Sequence, residues 1–356
     1  MVLRRTPHAA RRTAPRRTAP RRTPHAARRT LPPLLPRLCS LLSSSSPPAE
    51  VSPDLIAFAA SAGVLDVLAG RPGMRARLGE AGEAYVVQAA LGALRLKELR
   101  ELAGALGARG IPVMPLKGMA YALLFEPGGP SRAMADTDLL VPAARYAEAC
   151  AVVAGLGFAR EEPNAIARAE GYHEAAFRRR GMLVEVHRAF LPPGRLAVDY
   201  DGLWARARPA GPECGGCRLL SPEDMLLHHA LHMGVHEYVL GLRPVFELWR
   251  LLREDRPDLR AAAARARAWG CLGMAWCALR LLDTCFPGAL PRADLDRFRP
   301  SRPRALALER LVVRPSLALL SRPAPLPRAT QLLRKALLLE RPLAGIAYLA
   351  WWVRNR

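Results

Sequence analysis

Leu116-Lys117-Gly118, followed by Arg132-Ala133-Met134-Ala135-Asp136-Thr137-Asp138-Leu139-Leu140-Val141, decides how this 356-residue chain reads. The first piece closes a short apolar run, 111–116, that reads as a buried strand entering a glycine turn. The second places two carboxylates at i and i+2. On a strand that spacing sends Asp136 and Asp138 to one face, and Thr137, Leu139 and Val141 to the other. Two carboxylates side by side repel unless a cation lies between them. Mg²⁺ is the natural candidate, because it binds through one or two carboxylates together with substrate phosphates.

A third acid joins them. Residues 182–188 alternate cleanly, so Val184 and Val186 face a core while Glu185 and His187 face the other side. Arg180-Gly181 separates this run from 174–179 and has the composition of a two-residue hairpin turn. Between the pieces the spacing predicts a helix over 119–125, a Pro/Gly loop over 127–130, a strand over 135–141, a helix over 143–156 and a short strand near Phe158. Upstream, 54–68 and 83–106 read as helices, with Leu91, Leu94, Leu99, Leu102 and Leu106 near one stripe, forming a helical cap on the sheet. Downstream, Ser221 and Pro222 mark a helix start, and the rest is helical with proline breaks. The fold class is α+β: a small mixed-sheet core over 109–212, a helical region over 51–108 and a helical domain over 213–356.

The ordered set Lys117-Gly118, Arg132-x-x-x-Asp136-x-Asp138-Leu139-Leu140-Val141 and Glu185-Val186-His187 resembles the DNA polymerase β-like nucleotidyltransferases. It is most similar to a bacterial family of largely uncharacterised members, over about residues 110–249. The resemblance implies a Mg²⁺-dependent enzyme that moves a nucleoside monophosphate from an NTP such as ATP to an acceptor and releases pyrophosphate. It implies that Asp136 and Asp138 hold two metal ions and Glu185 the catalytic one. Lys117 and Gly118, a strand-to-helix turn where backbone N–H groups can receive phosphates, are expected to bind substrate. Gly-Gly or Gly-Ser is the usual superfamily turn, and here it is Lys-Gly. Arg132 either clamps a triphosphate or acceptor or pins the acids by a salt bridge. His187 either orients Glu185, contacts the acceptor or is a structural hydrogen-bonding residue. The acceptor is not specified; a small molecule or peptide is favoured over RNA, because aromatic residues are only 6% of the chain and no RNA-binding motif is visible. The alternatives are an inactive nucleotide-binding or scaffold protein with the same fold, and a basic peripheral membrane protein.

The formal charge of +22 is a weak guide to nucleic acid. Only three of the 53 basic residues are Lys, and an Arg, Ala and Pro excess of that kind follows from a GC-rich coding sequence. Residues 4–13 recur as 21–30, and a serine run and two prolines follow. Residues 1–50 are therefore expected to be disordered, as a transit-like segment or the product of a start codon placed too far upstream. The odd count of seven cysteines argues for a reducing compartment, hence the cytoplasm. Cys214-Gly215-Gly216-Cys217 has half the spacing of a zinc site and reads as a loop with two free thiols. His228, His232 and His236 lie on one helical stripe, expected to face the cleft or domain junction rather than to bind a metal. Residues 343–353 are too short to span a membrane and read as a core helix or, second, a peripheral contact.

Overall fold

The computed structural model describes residues 32–44, 50–126, 132, 134–162, 173–192 and 194–340. The described residues form one compact unit. Its centre is a mixed five-stranded sheet of order β1-β2-β5-β4-β3, built from β1 (Met114–Pro115), β2 (Asp136–Leu140), β3 (Ala159–Arg160), β4 (Glu174–Arg179) and β5 (Met182–His187). Only β2 and β5 run parallel. A parallel pair needs a crossover, and the segment holding α6 (Tyr146–Gly155), β3 and β4 supplies it. The β4–β5 turn is made by Arg180 (φ 50°) and Gly181 (φ 81°), the two positive φ values of a type I′ hairpin, whose twist matches that of the strands. This is the turn expected from the sequence.

Each sheet face carries its own core. Leu139, Val184, Val186, Ala175 and Phe177 pack against α6 and against the C-terminal half of α4 (Glu80–Gly107), through Leu96, Leu99, Leu102 and Leu106. The opposite face looks toward α5 (Lys117–Phe125) and a large second core. That core joins α1 (Leu34–Ser43), α2 (Pro53–Ser61) and α3 (Leu65–Ala69) to the C-terminal helices α8 (Pro222–Val235), α9 (Arg243–Arg250), α10 (Leu259–Trp269) and α11 (Leu272–Cys285). Between them, α7 (Tyr200–Ala205) and the two-stranded sheet β6 (Arg208–Pro209) with β7 (Arg218–Leu219) lead into α8. The N-caps follow sequence chemistry: Ser221 accepts from the Asp224 N–H at the start of α8, with Pro222 as its first residue, and Asp258 accepts from Arg260 and Ala261 at the start of α10.

Two expectations are corrected. Residues 34–43, assigned to a disordered tail, form α1, because Leu35, Leu38, Cys39, Leu41 and Leu42 supply a helical apolar face that the C-terminal helices bury. The predicted leucine stripe of α4 also divides. Leu99, Leu102 and Leu106 are fully buried, whereas Leu91 and Leu94 are about half exposed at 46% and 52%, because the sheet is shorter than the helix. Residues 1–31, the 127–130 loop and 343–353 lie outside the described residues. Among the described residues no helix is long and apolar enough to cross a membrane. All seven cysteines are free and buried, including Cys214 and Cys217.

Candidate active site

The β2–β5 register sets the site. Asp138 is paired with Glu185, and Leu140 with His187, across parallel neighbours. Paired residues on adjacent strands share a face, so Asp136, Asp138, Glu185 and His187 all leave the sheet on the side away from α4. Thr137 and Leu139 point to the α4 side with Val184 and Val186. Thr137 is buried there, and among the described residues its Oγ1 has no hydrogen-bond partner.

Lys117, the first residue of α5, is held at φ 46°, a left-handed conformation uncommon for any residue but glycine. From there its ammonium lies 2.5 Å from Asp138 Oδ1 and 3.8 Å from Glu185 Oε2. His187, only 3% exposed, donates from Nε2 to the same Asp138 oxygen at 2.9 Å and lies 3.5 Å from Glu185 Oε2. Electrostatics follow from this packing. Burial penalises the Asp138 carboxylate, but His187 and Lys117 overcome that and hold its pKa well below the ordinary range. Burial likewise opposes the His187 imidazolium, yet the hydrogen bonds to Asp138 and Glu185 raise its pKa to about 9. Lys117 is raised by Asp138 and Glu185 against the same desolvation.

Asp136 stands apart. Among the described residues no hydrogen bond or ion pair engages its carboxylate, and burial followed by repulsion from Asp138 raises its pKa. The donor atoms that converge closely are those of Asp138, Glu185 and His187, all within 4.8 Å of one another. Asp136 of the expected trio lies outside this closest set, because it sits at the first residue of β2 while Asp138 and Glu185 face each other in mid-strand. These residues fit a hard divalent cation. Two carboxylates already draw the Lys117 ammonium between them, and a third carboxylate has its anion disfavoured for want of positive charge.

The cluster opens into a cavity of about 530 Å³ whose floor is the sheet and whose roof is α8. His228, His232 and His236 form that roof, so the stripe faces the cleft, as the helical spacing predicts. Burial lowers His228 to about 3 and also holds His232 and His236 below the usual histidine value, so the roof is neutral at physiological pH. His229, one position round the helix, instead bonds the Pro244 carbonyl at 2.7 Å. Arg132 lines the cavity but pairs with Glu247 of α9. Of its two expected roles, pinning the acids by a salt bridge is corrected: the guanidinium turns instead to the C-terminal helices. Gly118 borders the same cavity, and a Cβ there would meet Met134 Cγ and Sδ at 3.0 Å. A larger residue at this position would have to displace the Met134 side chain.

Sequence reasoning missed His173, Glu174 and Glu247. Glu174 was within reach: with Arg180 and Gly181 fixed as the turn, the hairpin register pairs it with His187. His173 precedes it, with its Nε2 3.1 Å from Glu174 Oε2. No local signal marks Glu247, whose partner is 115 residues away.

A mixed sheet with helices on both faces, its central parallel strands presenting acids to a roofed cavity, is an α+β layout. The chain belongs to the family described as uncharacterised nucleotidyltransferase, whose model matches residues 27–287, and nucleotidyl transfer is the general activity class of that family. Among solved structures, the solution structure of the antibiotic-resistance factor ANT(2'')-Ia, which reveals substrate-regulated conformation dynamics, is similar over 62% of this chain and 97% of that one. The identity is 18% and the TM-score 0.32. No curated protein matches the sequence.

Proposed function

We propose that the protein is a Mg²⁺-dependent nucleotidyltransferase that moves a nucleoside monophosphate from an NTP to a small-molecule or peptide acceptor in the cytoplasm. The observation that carries this reading is the in-register meeting of Asp138 and Glu185 around the Lys117 ammonium. Asp136, Asp138 and Glu185 would hold the ion. When bound, Mg²⁺ supplies positive charge to the phosphates and acidifies the attacking hydroxyl.

The chain's own residues do the positioning. Lys117 is the flexible cation at the mouth of α5, where it can turn from Asp138 to a phosphate oxygen beside the N-terminal N–H groups of the helix. His187 keeps Asp138 in one rotamer through its Nε2–H. Arg132, anchored by Glu247, adds a second cation on the same side. The neutral histidines of α8 offer hydrogen bonds without competing for the anionic donor. An acceptor oxygen attacks the α-phosphorus, the bond to the bridging oxygen breaks, and pyrophosphate leaves with that electron pair. Alignment and charge neutralisation account for most of the rate in such a displacement.

One observation favours a second reading, a nucleotide-binding protein without turnover: Lys117 already lies where a cation would. A single experiment separates them. The protein is incubated with Mg²⁺ and each NTP, and pyrophosphate release and label incorporation into candidate acceptors or the protein itself are measured. Release that vanishes in Asp138→Asn supports transfer; saturable NTP binding with no release under any acceptor supports the second reading.

A further inference from the structure

Beside the carboxylate pair, the hairpin assembles a second donor set of different chemistry. His173, Glu174 and His187 bring His173 Nε2, Glu174 Oε2 and His187 Nδ1 within 4.8 Å of one another, and all three residues line the cavity. His173 Nε2 and His187 Nδ1 lie 3.1 Å and 3.2 Å from the same Glu174 oxygen. Among the described residues His187 Nδ1 is nevertheless buried without a hydrogen-bond partner. An unmatched N–H on a side chain 3% exposed is costly, and a metal ion that takes the place of the Nδ1 proton would remove the cost.

The other nitrogen explains which ligand. His187 Nε2 donates to Asp138. A histidine that binds a metal through one nitrogen almost always donates the other N–H to a carboxylate, which fixes the tautomer and makes the ligating nitrogen more basic. His187 already has that partner. Its neighbours complete a set of two imidazoles and one carboxylate, the donor types of a borderline divalent ion, not of Mg²⁺, which takes oxygen. The backbone supports the arrangement: Glu174 is fixed opposite His187 by the hairpin register, and the Arg188 N–H donates to the His173 carbonyl at 2.8 Å, tying His173 to the end of β5.

We propose that His173 Nε2, Glu174 and His187 Nδ1 form a Zn²⁺-class binding site on the cavity wall, distinct from the hard-cation site of Asp136, Asp138 and Glu185. Its three protein ligands leave a fourth tetrahedral position open to the cavity. An oxygen or nitrogen donor of a substrate can occupy that position. His187 then belongs to both sites, a zinc ligand through Nδ1 and a hydrogen-bond donor to Asp138 through Nε2.

The test uses the full-length protein with Zn²⁺ and Co²⁺ alone as probes. Zn²⁺ affinity is measured by competition with a chromophoric chelator in excess Mg²⁺, and Co²⁺ is followed by its visible absorption. The expected result is one Zn²⁺ per chain that Mg²⁺ does not displace, and a four-coordinate Co²⁺ spectrum. His173→Ala and Glu174→Gln are each expected to weaken Zn²⁺ binding by at least about tenfold, with unfolding transitions matching the parent to show that the variants fold. Zn²⁺ affinity unchanged in both variants, or Zn²⁺ displaced by Mg²⁺ and lost only in Asp138→Asn, overturns the proposal by assigning the ion to the carboxylates. Neither result depends on whether the protein transfers nucleotides.

Discussion

Replacing His228 by Asn isolates one buried histidine whose charge state can be read through stability. His228 is 4% exposed, its Nδ1 has no hydrogen-bond partner among the described residues, and burial, followed by the nearby Lys117 charge, lowers its pKa from 6.5 to about 3. The sign follows from proton counting. Below the unfolded value of 6.5 the unfolded chain binds a proton that the folded chain refuses, so the folded state loses stability as pH falls through 6.5. At pH 5 that loss is RT ln(1 + 10^1.5), about 2 kcal/mol relative to pH 8, and it stays near that value for any folded pKa well below 5. Asn does not titrate, so His228→Asn should lose about 2 kcal/mol less than the parent over the same interval. The cavity and hydrogen-bond effects of the substitution are independent of pH and cancel in the comparison. Urea unfolding of both proteins at pH 8 and pH 5 measures it. Equal pH dependence in the two would mean that folded His228 takes up its proton as readily as the unfolded chain does, and burial would not be what keeps it neutral.

Asp136→Asn and Asp138→Asn should part company. Among the described residues Asp136 has no hydrogen-bond or ion-pair partner, and its anion is disfavoured by burial and by Asp138, so Asp136→Asn should leave stability at neutral pH equal or raised, while lowering pyrophosphate release by about 10–100-fold. Asp138→Asn should abolish release and also cost about 3 kcal/mol, because it strands Lys117 and His187. Thr137→Val, which removes a buried hydroxyl that nothing satisfies, should gain about 1 kcal/mol in chemical denaturation. Gly118→Ala should cost about 1–3 kcal/mol by overpacking against Met134, and Gly118→Ala with Met134→Ala should recover most of it; equal losses in single and double variants would show that the contact is not the cause.

The sheet's chemistry was legible because it is written in local periodicity. Alternation in 182–187 separates Glu185 and His187 from Val184 and Val186, and Arg180-Gly181 fixes the hairpin. Asp136 and Asp138 two residues apart announce a shared face. What local pattern cannot carry is pairing between distant segments. The choice of Glu247 as partner for Arg132 depends on how α9 packs. The burial of α1 depends on helices more than 200 residues later, and a proline-bounded leucine run of that length reads equally well as tail. Leu91 and Leu94 fail for the same reason: they continue the apolar spacing of α4 past the edge of the sheet that would have covered them. Lys117 was read as a phosphate ligand, and its contact with Asp138 became visible only when the turn before α5 was placed against β2.

Backbone hydrogen bonding between two parallel strands fixes how far apart Asp138 and Glu185 can be, and the bonding holds only while Leu139, Val184 and Val186 stay packed beneath α4 and α6. Slippage of β5 by a single position would set a valine beside Asp138 and turn the acid into the greasy layer. The oily underside of the sheet therefore acts as the ruler for the charged upper side. Substitutions there, out of reach of any substrate, should surface first as weakened divalent-ion binding and only later as unfolding.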